Sequence, residues 1–242
     1  SDIHFEITHG NIVDSALITK TIEKYQPNEI YNLAGQSSVG KSFNTPAETI
    51  QSNINGTLNI LEVCKNLKFD GRIFFAGSGE IFGETPHGAN LDHLQNPKSP
   101  YSISKQASYN LVKSYREMYN LKCMTGILFN HESHLRNENF VTQKIISGAI
   151  KCMKDKSYIL KLGNIKVSRD WGWAEEFVEA MQIIANSTEI KDHIVCTGQP
   201  NKLETFIDIT FTKLNLNWRD HISSDETLFR RLEIKKSFGN PK

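Results

Sequence analysis

The sequence is short of cysteine, of charge imbalance and of long apolar runs. Its four cysteines, Cys64, Cys123, Cys152 and Cys196, are scattered along 242 residues with no CxxC pair. In a chain of this size that argues against a disulfide frame or a zinc site and for reduced thiols. Net charge at pH 7 is +1, from 28 Lys+Arg and 27 Asp+Glu. Such a balance leaves no electrostatic footprint for nucleic acid or for an anionic membrane surface, so neither partner is expected. No apolar run approaches the roughly 18 residues needed to span a bilayer. The opening Ser1-Asp2-Ile3-His4 does not read as a signal peptide, and a cytoplasmic location is expected. There is no internal repeat and no low-complexity tract.

Hydrophobic residues make up 38% of the chain, enough for one large domain or one and a half. The first forty residues read strand, helix, strand: Ile3–Ile7 alternates, Asp14–Tyr25 is helical, and Glu29–Ala34 runs as a strand into Gly35. A long helix follows over about 47–66, with Ile50, Ile54, Leu58 and Leu61 on one stripe. Arg72–Ala76 is a buried strand ending at Gly77-Ser78-Gly79-Glu80. A loop rich in Gly, Pro and Asn covers 83–99, a helix runs from Pro100 to about Tyr119, and Lys122–Phe129 is the next strand. Alternation of strand and helix predicts an α/β fold, a doubly wound parallel sheet. Beyond residue 130 the texture changes. Helices are expected at Phe140–Met153, Glu175–Ala185 and Leu203–Leu214, short strands at Tyr158–Leu162 and Ile194–Thr197, and a polar tail without period from Asn217. Residues 130–165 and 200–242 are expected to form a smaller lobe beside residues 1–129 and 166–199.

The stretch Ser99-Pro100-Tyr101-Ser102-Ile103-Ser104-Lys105 organises the chain. Ser99 is suited to an N-cap and Pro100 to the first helical position. Tyr101 and Lys105, four apart, then share one face. A cation beside a phenol favours the phenolate. Bringing a phenol from about 10 to about 7 takes about 4 kcal/mol of differential stabilisation. Apolar residues of this helix (Ile103, Ala107, Leu111, Tyr115, Met118) form a stripe for core or for a helical interface.

One expected element is missing. A dinucleotide-binding sheet opens with a strand, a Gly-rich turn and a helix N-terminus that holds the pyrophosphate. The only decoy is Gly77-Ser78-Gly79-Glu80-Ile81-Phe82-Gly83, where Glu80 would put a carboxylate against phosphate and Pro86 opposes a helix. The chain therefore reads as entering its fold one βαβ unit late. His131-Glu132-Ser133-His134 lacks the i, i+4 histidine spacing of a helical zinc motif, and no metal is expected.

Four phrases in this order resemble the extended short-chain dehydrogenase/reductases: Asn32-Leu33-Ala34-Gly35-Gln36-Ser37, Asn53 to Glu62, Ser78 to Gly83, and the Tyr101/Lys105 helix. The C-terminal half is similar to the GDP-mannose 4,6-dehydratase family in Gly126–Ser133, Asn139–Ile145, Leu162-Gly163-Asn164 and Arg169-Asp170-Trp171-Gly172. The resemblance implies a hydro-lyase that makes a 4-keto-6-deoxy sugar by internal hydride transfer through NADP, or NAD. It implies Ser78, Glu80, Tyr101 and Lys105 as catalytic residues, with Glu80 partly buried. It implies cofactor contacts at Asn11 and Ile12, at Leu33, Ala34, Gly35, Gln36 and Ser37, at Tyr101 and Lys105, and at His131 and Arg136. A GDP-linked sugar would meet Asn130, Glu132, Val141 and Lys144, then Gly163, Arg169, Arg230 and Glu233. The first lobe becomes an incomplete dinucleotide-binding domain and the second a nucleotide-sugar-binding lobe. A homodimer or homotetramer through helices 47–66 and 100–119 is implied.

The chain departs from the family pattern at Ser78 (usually Thr), Gly79 (usually Ser), His134 and Leu135 (usually Pro and Arg, with Arg136 kept) and Arg231 (usually Pro). These changes bear on the sugar, mannose or a mannose-like heptose, more than on the reaction. Two alternatives stay open: another nucleotide-sugar epimerase or decarboxylase of the superfamily, and an inactive, cofactor-free scaffold.

Overall fold

A computed structural model describes residues 5–241. In chain order the elements are α1 (Ser15–Tyr25), β1 (Glu29–Asn32), α2 (Val39–Asn44), α3 (Pro46–Ile50), α4 (Gly56–Asn66), β2 (Arg72–Ala76), α5 (Pro100–Tyr119) and β3 (Cys123–Leu128). Then come β4 (Asn130–Glu132), α6 (Val141–Lys154), β5 (Leu160–Leu162), β6 (Ser168–Trp173), α7 (Ala174–Ala185), β7 (His193–Val195), β8 (Pro200–Lys202), α8 (Leu203–Thr212), β9 (Ile222–Ser224) and β10 (Lys236–Ser237). Among the described residues no helix is long and apolar enough to cross a membrane. The chain packs as two compact units.

The first unit holds the described residues up to Gly77, then Ser99–Thr125 and Ala185–Lys191. Strand β1 pairs in parallel with β2, from Glu29 opposite Arg72 to Asn32 opposite Phe75. Strand β3 follows β2 in the sheet. Ile22, Leu61, Ile73, Val112 and Cys123 fill the core between sheet and helices. The expected strand Ile3–Ile7 falls partly outside the described residues, and Phe5–Ile7 is not a strand. Alternation alone does not make a strand; a neighbour must close its hydrogen bonds. Phe5 and Ile7 stay exposed, and β1 is an edge strand among the described residues.

Helix α5 starts where its sequence says it should. Ser99 Oγ accepts from Ser102 N at 3.0 Å and Ser102 Oγ accepts from Ser99 N at 2.9 Å, a reciprocal capping box. The buried face divides the apolar stripe, with Tyr115 and Leu111 packed in the core. Tyr101, Ser104, Ser108, Val112 and Tyr115 point inward, while Ile103 and Met118 are 50% and 61% exposed. Small serines let α5 approach its neighbours closely, and each serine hydroxyl is satisfied by a backbone carbonyl one turn back. The long helix expected over 47–66 is interrupted: Gln51–Asn55 forms a π turn between α3 and α4.

The second unit holds Ser78–Lys98, Gly126–Ile184 and the described residues from Asp192. Here Gly126–Leu128 of β3 pairs in parallel with β7. A second sheet runs β10-β6-β4, with β8 antiparallel to β6, and β5 pairs with β9. Ile145, Cys152, Leu160, Ile207 and Phe211 form its core. The polar tail lacks a period because its strands are two or three residues long, too short to show one; β9 and β10 both come from it.

Candidate active site

In the first unit the site begins at the carboxyl ends of β1 and β2, where α/β sheets take their ligands. Lys105 Nζ lies 5.9 Å from the Tyr101 ring centroid and donates to Ala76 O at 3.0 Å. Desolvation of this enclosed ammonium pulls its pKa down to about 8. Beside it is a small pocket of about 10 Å³, lined by Asn32, Thr57, Gly77, Ser108 and Thr125 among others, close to the least space that holds one water. Tyr101 is 8% exposed, so its phenol is presented from a packed helix, not from a mobile loop.

The loop after β1 is fixed by a residue that the sequence reading did not single out for a role. Asn53, in the π turn, donates to Gln36 O at 3.1 Å and to Ser104 Oγ at 2.8 Å, and its carbonyl accepts from Ser108 Oγ. It therefore ties the 35–38 loop to the helix that bears Tyr101 and Lys105. Gly35 has φ +131°, and a Cβ there would stand 2.1 Å from Asn53 Oδ1. The wider turn of a π helix is a recurrent mark of functional positions and is not visible as a periodicity. Gln36 is held in place by Ser38 and Thr49, so Leu33, Ala34, Gly35 and Ser37 present exposed loop surface. Asn11 caps its own turn by accepting from Val13 N, and Ile12 is anchored through Asn59 Nδ2 and packs on Gly56.

In the second unit Ser78 and Glu80 stand on one 3-10 turn. Ser78 is its N-cap, accepting from Glu80 N at 3.3 Å. Glu80's side chain is 14% exposed and faces Arg230, Nη1 to Oε1 at 3.7 Å. Arg169, 5% exposed on β6, lies 3.4 Å from Glu233 Oε1 and donates to Ser168 O at 2.9 Å. Burial pulls the Arg169 pKa down, and the charges of Glu80, Glu233 and Glu84 oppose that. Glu80, Arg169, Arg230 and Glu233 are thus one cluster, drawn from three distant segments. Asp170 is fully buried and accepts from Thr197 N, Thr197 Oγ1, Gly198 N and Gly239 N, which sets the register of β6 and so the place of Arg169.

The other expected residues of this unit are mostly engaged with one another. His131 Nδ1 donates to Phe129 O at 2.9 Å, its ring stacks on Phe177, and burial lowers its pKa. Glu132 accepts from Thr142 Oγ1 at 2.8 Å and meets Arg136 Nε at 3.4 Å, while Arg136 also lies over the Phe140 ring. Asn130 is partly buried on β4, Val141 opens α6, and Lys144 lies one turn further along it. At Gly163 a Cβ would meet Leu228 O at 2.7 Å; only glycine lets the 225–229 segment close over the end of β5.

The profile of the GDP-mannose 4,6 dehydratase family matches residues 1–242. The chain belongs to that family. It is 36% identical over 239 residues to GDP-mannose 4,6 dehydratase 1 of Arabidopsis thaliana, covering 97% of this chain and 66% of that protein. It is 37% identical over 224 residues to GDP-mannose 4,6-dehydratase of Sinorhizobium fredii (strain HH103), covering 90% of this chain and 63% of that one. The chain thus spans slightly less than two thirds of these curated relatives. Among solved structures it is similar to RMD from Pseudomonas aeruginosa, complexed with NADPH (TM-score 0.84, 24% identity, 98% of this chain and 80% of that chain). It is also similar to the dTDP-glucose 4,6-dehydratase DesIV of Streptomyces venezuelae (TM-score 0.84, 17% identity, 96% and 70% covered). At those identities the two structures establish the α/β fold and no more. Family membership gives the expected catalytic phrase its context: Ser78 and Glu80 belong to the second packing unit, Tyr101 and Lys105 to the first.

Proposed function

We propose that the protein bearing this chain is a nucleotide-sugar 4,6-dehydratase, a hydro-lyase acting on a GDP-linked mannose-type sugar. The observation that carries the reading is Glu80, a mostly buried carboxylate on a capped turn that faces an arginine. An epimerase that only exchanges hydride at C4 has no work for such a carboxylate. A dehydratase needs one group that takes a proton from C5 and returns it to the oxygen leaving C6.

In this scheme Tyr101, as phenolate, removes the proton of the sugar 4-hydroxyl, and Ser78 hydrogen-bonds the 4-oxygen. The Lys105 ammonium supports the phenolate. Once C4 is a ketone the C5 proton is acidic, and Glu80 takes it, leaving the electron pair delocalised onto the 4-oxygen. Glu80 then protonates the C6 oxygen; the C6–O bond breaks and water departs. A bound NADP or NAD would supply the hydride acceptor for C4 and the hydride donor for C6; as C6 is reduced, C5 takes up a proton and Tyr101, protonated since the first step, gives one up and returns to the phenolate. Tyr101 and Lys105 suit the ribose–nicotinamide half of such a cofactor. His131, its Nδ1 held by Phe129 O, offers Nε2, and Arg136 a cation already oriented by Glu132 and Phe140. Asn11, Ile12 and the exposed loop of Leu33, Ala34, Gly35, Gln36 and Ser37 are proposed for the adenosine side. The described residues contain no Gly-rich turn for the pyrophosphate.

For the GDP-linked sugar, Lys144, Arg169 and Arg230 supply cations, and Asn130, Glu132, Val141, Gly163 and Glu233 supply polar and close-packed walls. Residues 1–129 and 166–199 are proposed to serve the cofactor, and 130–165 with 200–242 the nucleotide sugar. Exposed Ile103 and Met118 on α5, with half-exposed Ile50 on α3, favour a homo-oligomer through these helices. Among the described residues the four cysteines form no disulfide, which suits a reducing, cytoplasmic setting.

The test is turnover of GDP-mannose to a 4-keto-6-deoxy product, together with the nucleotide released by acid from the purified protein. Tyr101→Phe and Glu80→Gln are each expected to cut turnover by about 100-fold or more. Full turnover by either variant would overturn the scheme.

A further inference from the structure

Ser78 and Glu80 stand on a turn whose shape and whose place have different causes. Ile81 N donates to Ser78 O at 3.2 Å, Gly83 N to Glu80 O at 3.3 Å, and Glu80 N to Ser78 Oγ at 3.3 Å. These three bonds lie inside the turn, so they set its shape and not where it sits. Asn96 N, donating to Ile81 O at 2.8 Å, ties the far end of the turn to the loop that follows it. At the near end, between Ser78 and Glu80, the backbone rests on the ring of Phe129.

That contact requires glycine. A Cβ on Gly79 would stand 2.8 Å from Cε1 and Cζ of Phe129 and 2.9 Å from Cδ1, where packed carbons keep about 3.5–4.0 Å. Gly79 does not have a positive φ, so its backbone would accept a side chain; the ring is what forbids one. The ring has nowhere to retreat. Its other edge meets Gly239, where a Cβ would stand 3.0 Å from Cε2 of Phe129 and 2.5 Å from Cys196 Sγ. Phe129 is 3% exposed, and its backbone is pinned on both sides: its N–H donates to Val195 O at 2.9 Å and its carbonyl accepts from His131 Nδ1 at 2.9 Å. The ring is therefore a slab mounted at the end of β3 and held between two backbones, one of which carries Ser78 and Glu80. The departure from the family pattern at Gly79 acquires a local consequence: without a Cβ, the ring comes directly under the turn.

We propose that Phe129 is the positioning residue of the Ser78–Glu80 turn: its ring, clamped between Gly79 and Gly239, sets the height at which the hydroxyl and the carboxylate meet the sugar, and acts only through the turn. This rests on the dehydratase reading above. Misplacing a reacting group by about 1 Å can cost about 100-fold in rate, so the dependence on Phe129 falls on kcat and not on capture of the nucleotide.

The experiment compares Phe129→Leu, Gly79→Ala and the double variant in the purified protein. Readouts are kcat and KM for GDP-mannose, exchange of the C5 hydrogen with deuterated solvent, GDP affinity by calorimetry, and amide hydrogen exchange at Ile81 and Gly83 against Ile127 inside β3. Phe129→Leu removes the slab and Gly79→Ala pushes on it from the other side. Each is expected to lower kcat and C5 exchange by about 10–100-fold while GDP affinity changes less than about threefold. In the double variant the smaller side chain leaves room for the new Cβ, and the loss is expected to be smaller than the product of the two single losses. The amides of Ile81 and Gly83, which need no turnover, are expected to exchange about tenfold faster in each single variant with Ile127 unchanged. Should either single variant fail to fold, the other carries the same readouts. Turn amides that exchange as in the parent overturn the proposal, and so does an equal rise at Ile127, which would mean general loosening. A loss confined to KM and GDP affinity, or single losses that simply multiply, overturns it too. Full turnover by Glu80→Gln instead overturns the dehydratase reading, and the turn amides still decide whether Phe129 holds the turn.

Discussion

The two packing units build their chemical residues in opposite ways. In the first, Tyr101 and Lys105 sit one turn apart on one long helix whose start is written in the sequence as Ser-Pro with a serine three residues on. In the second, Glu80, Arg169, Arg230 and Glu233 come from a 3-10 turn, a strand and a polar tail, and meet only because the chain folds back. The difference teaches where a site is vulnerable. A helix-borne pair depends on local terms of about 1 kcal/mol each, whereas a converging cluster depends on a few buried anchors that each hold several strands in place.

The largest expected effect tests that dependence at Asp170. Its carboxylate is fully buried under four donors, and replacing one side of such a network strands the rest. Asp170→Ala is expected to destabilise the protein by about 3–5 kcal/mol in urea unfolding. A loss below about 1 kcal/mol would mean that the second unit is not anchored there.

Next comes Lys105, where function works against stability. Its ammonium has a pKa of about 8 in the fold against a reference of 10.5. Below pH 8 both folded and unfolded chains hold the proton, and the full desolvation cost is present. Between about 8 and 10.5 the unfolded chain binds more protons, so this group makes stability rise with pH. Above that range the cost is gone. Lys105→Met is therefore expected to abolish turnover yet to raise stability at pH 7 by about 1–3 kcal/mol. The gain over the parent should shrink toward pH 10.5; equal stability at pH 7 and 10 in both proteins would contradict it.

Gly35 makes a sharper test of the link between the first unit's loop and its helix. Its φ of +131° and the contact with Asn53 leave no room for a side chain. Gly35→Ala is expected to cost about 1–3 kcal/mol and to loosen the 35–38 amides in hydrogen exchange. The smallest effect is the cap. Ser99→Ala removes half of the capping box and is expected to cost about 1 kcal/mol, read as a small fall in Tm with α5 still formed. A cost as large as that at Asp170 would erase the contrast between the two units.

The legible parts of this protein are those with short-range causes. Asp14 before α1, Ser99-Pro100 before α5 and the apolar run of β2 each declare an element, and the structure places those elements within a residue or two of expectation. Tyr101 and Lys105 follow from the helix alone. Of the strand expected at Ile3–Ile7, the described part, Phe5–Ile7, is not a strand, because alternation says nothing about whether a partner strand is there to pair with. The exposed Ile103 and Met118 show the same limit: a stripe tells which residues share a face, not which face turns inward.

What the sequence determined by itself was the α/β class, the helix that bears Tyr101 and Lys105, and the family, because spacing along a helix and specific phrases survive without any knowledge of contacts. What only the tertiary structure decided was the π turn that lets Asn53 tie the loop to the catalytic helix, and the meeting of Arg230 with Glu80. A hydrogen bond across 51 residues and an ion pair across 150 leave no periodic trace in the chain; they exist because packed backbones bring those groups to within a few ångströms, where unpaired donors and charges must find partners.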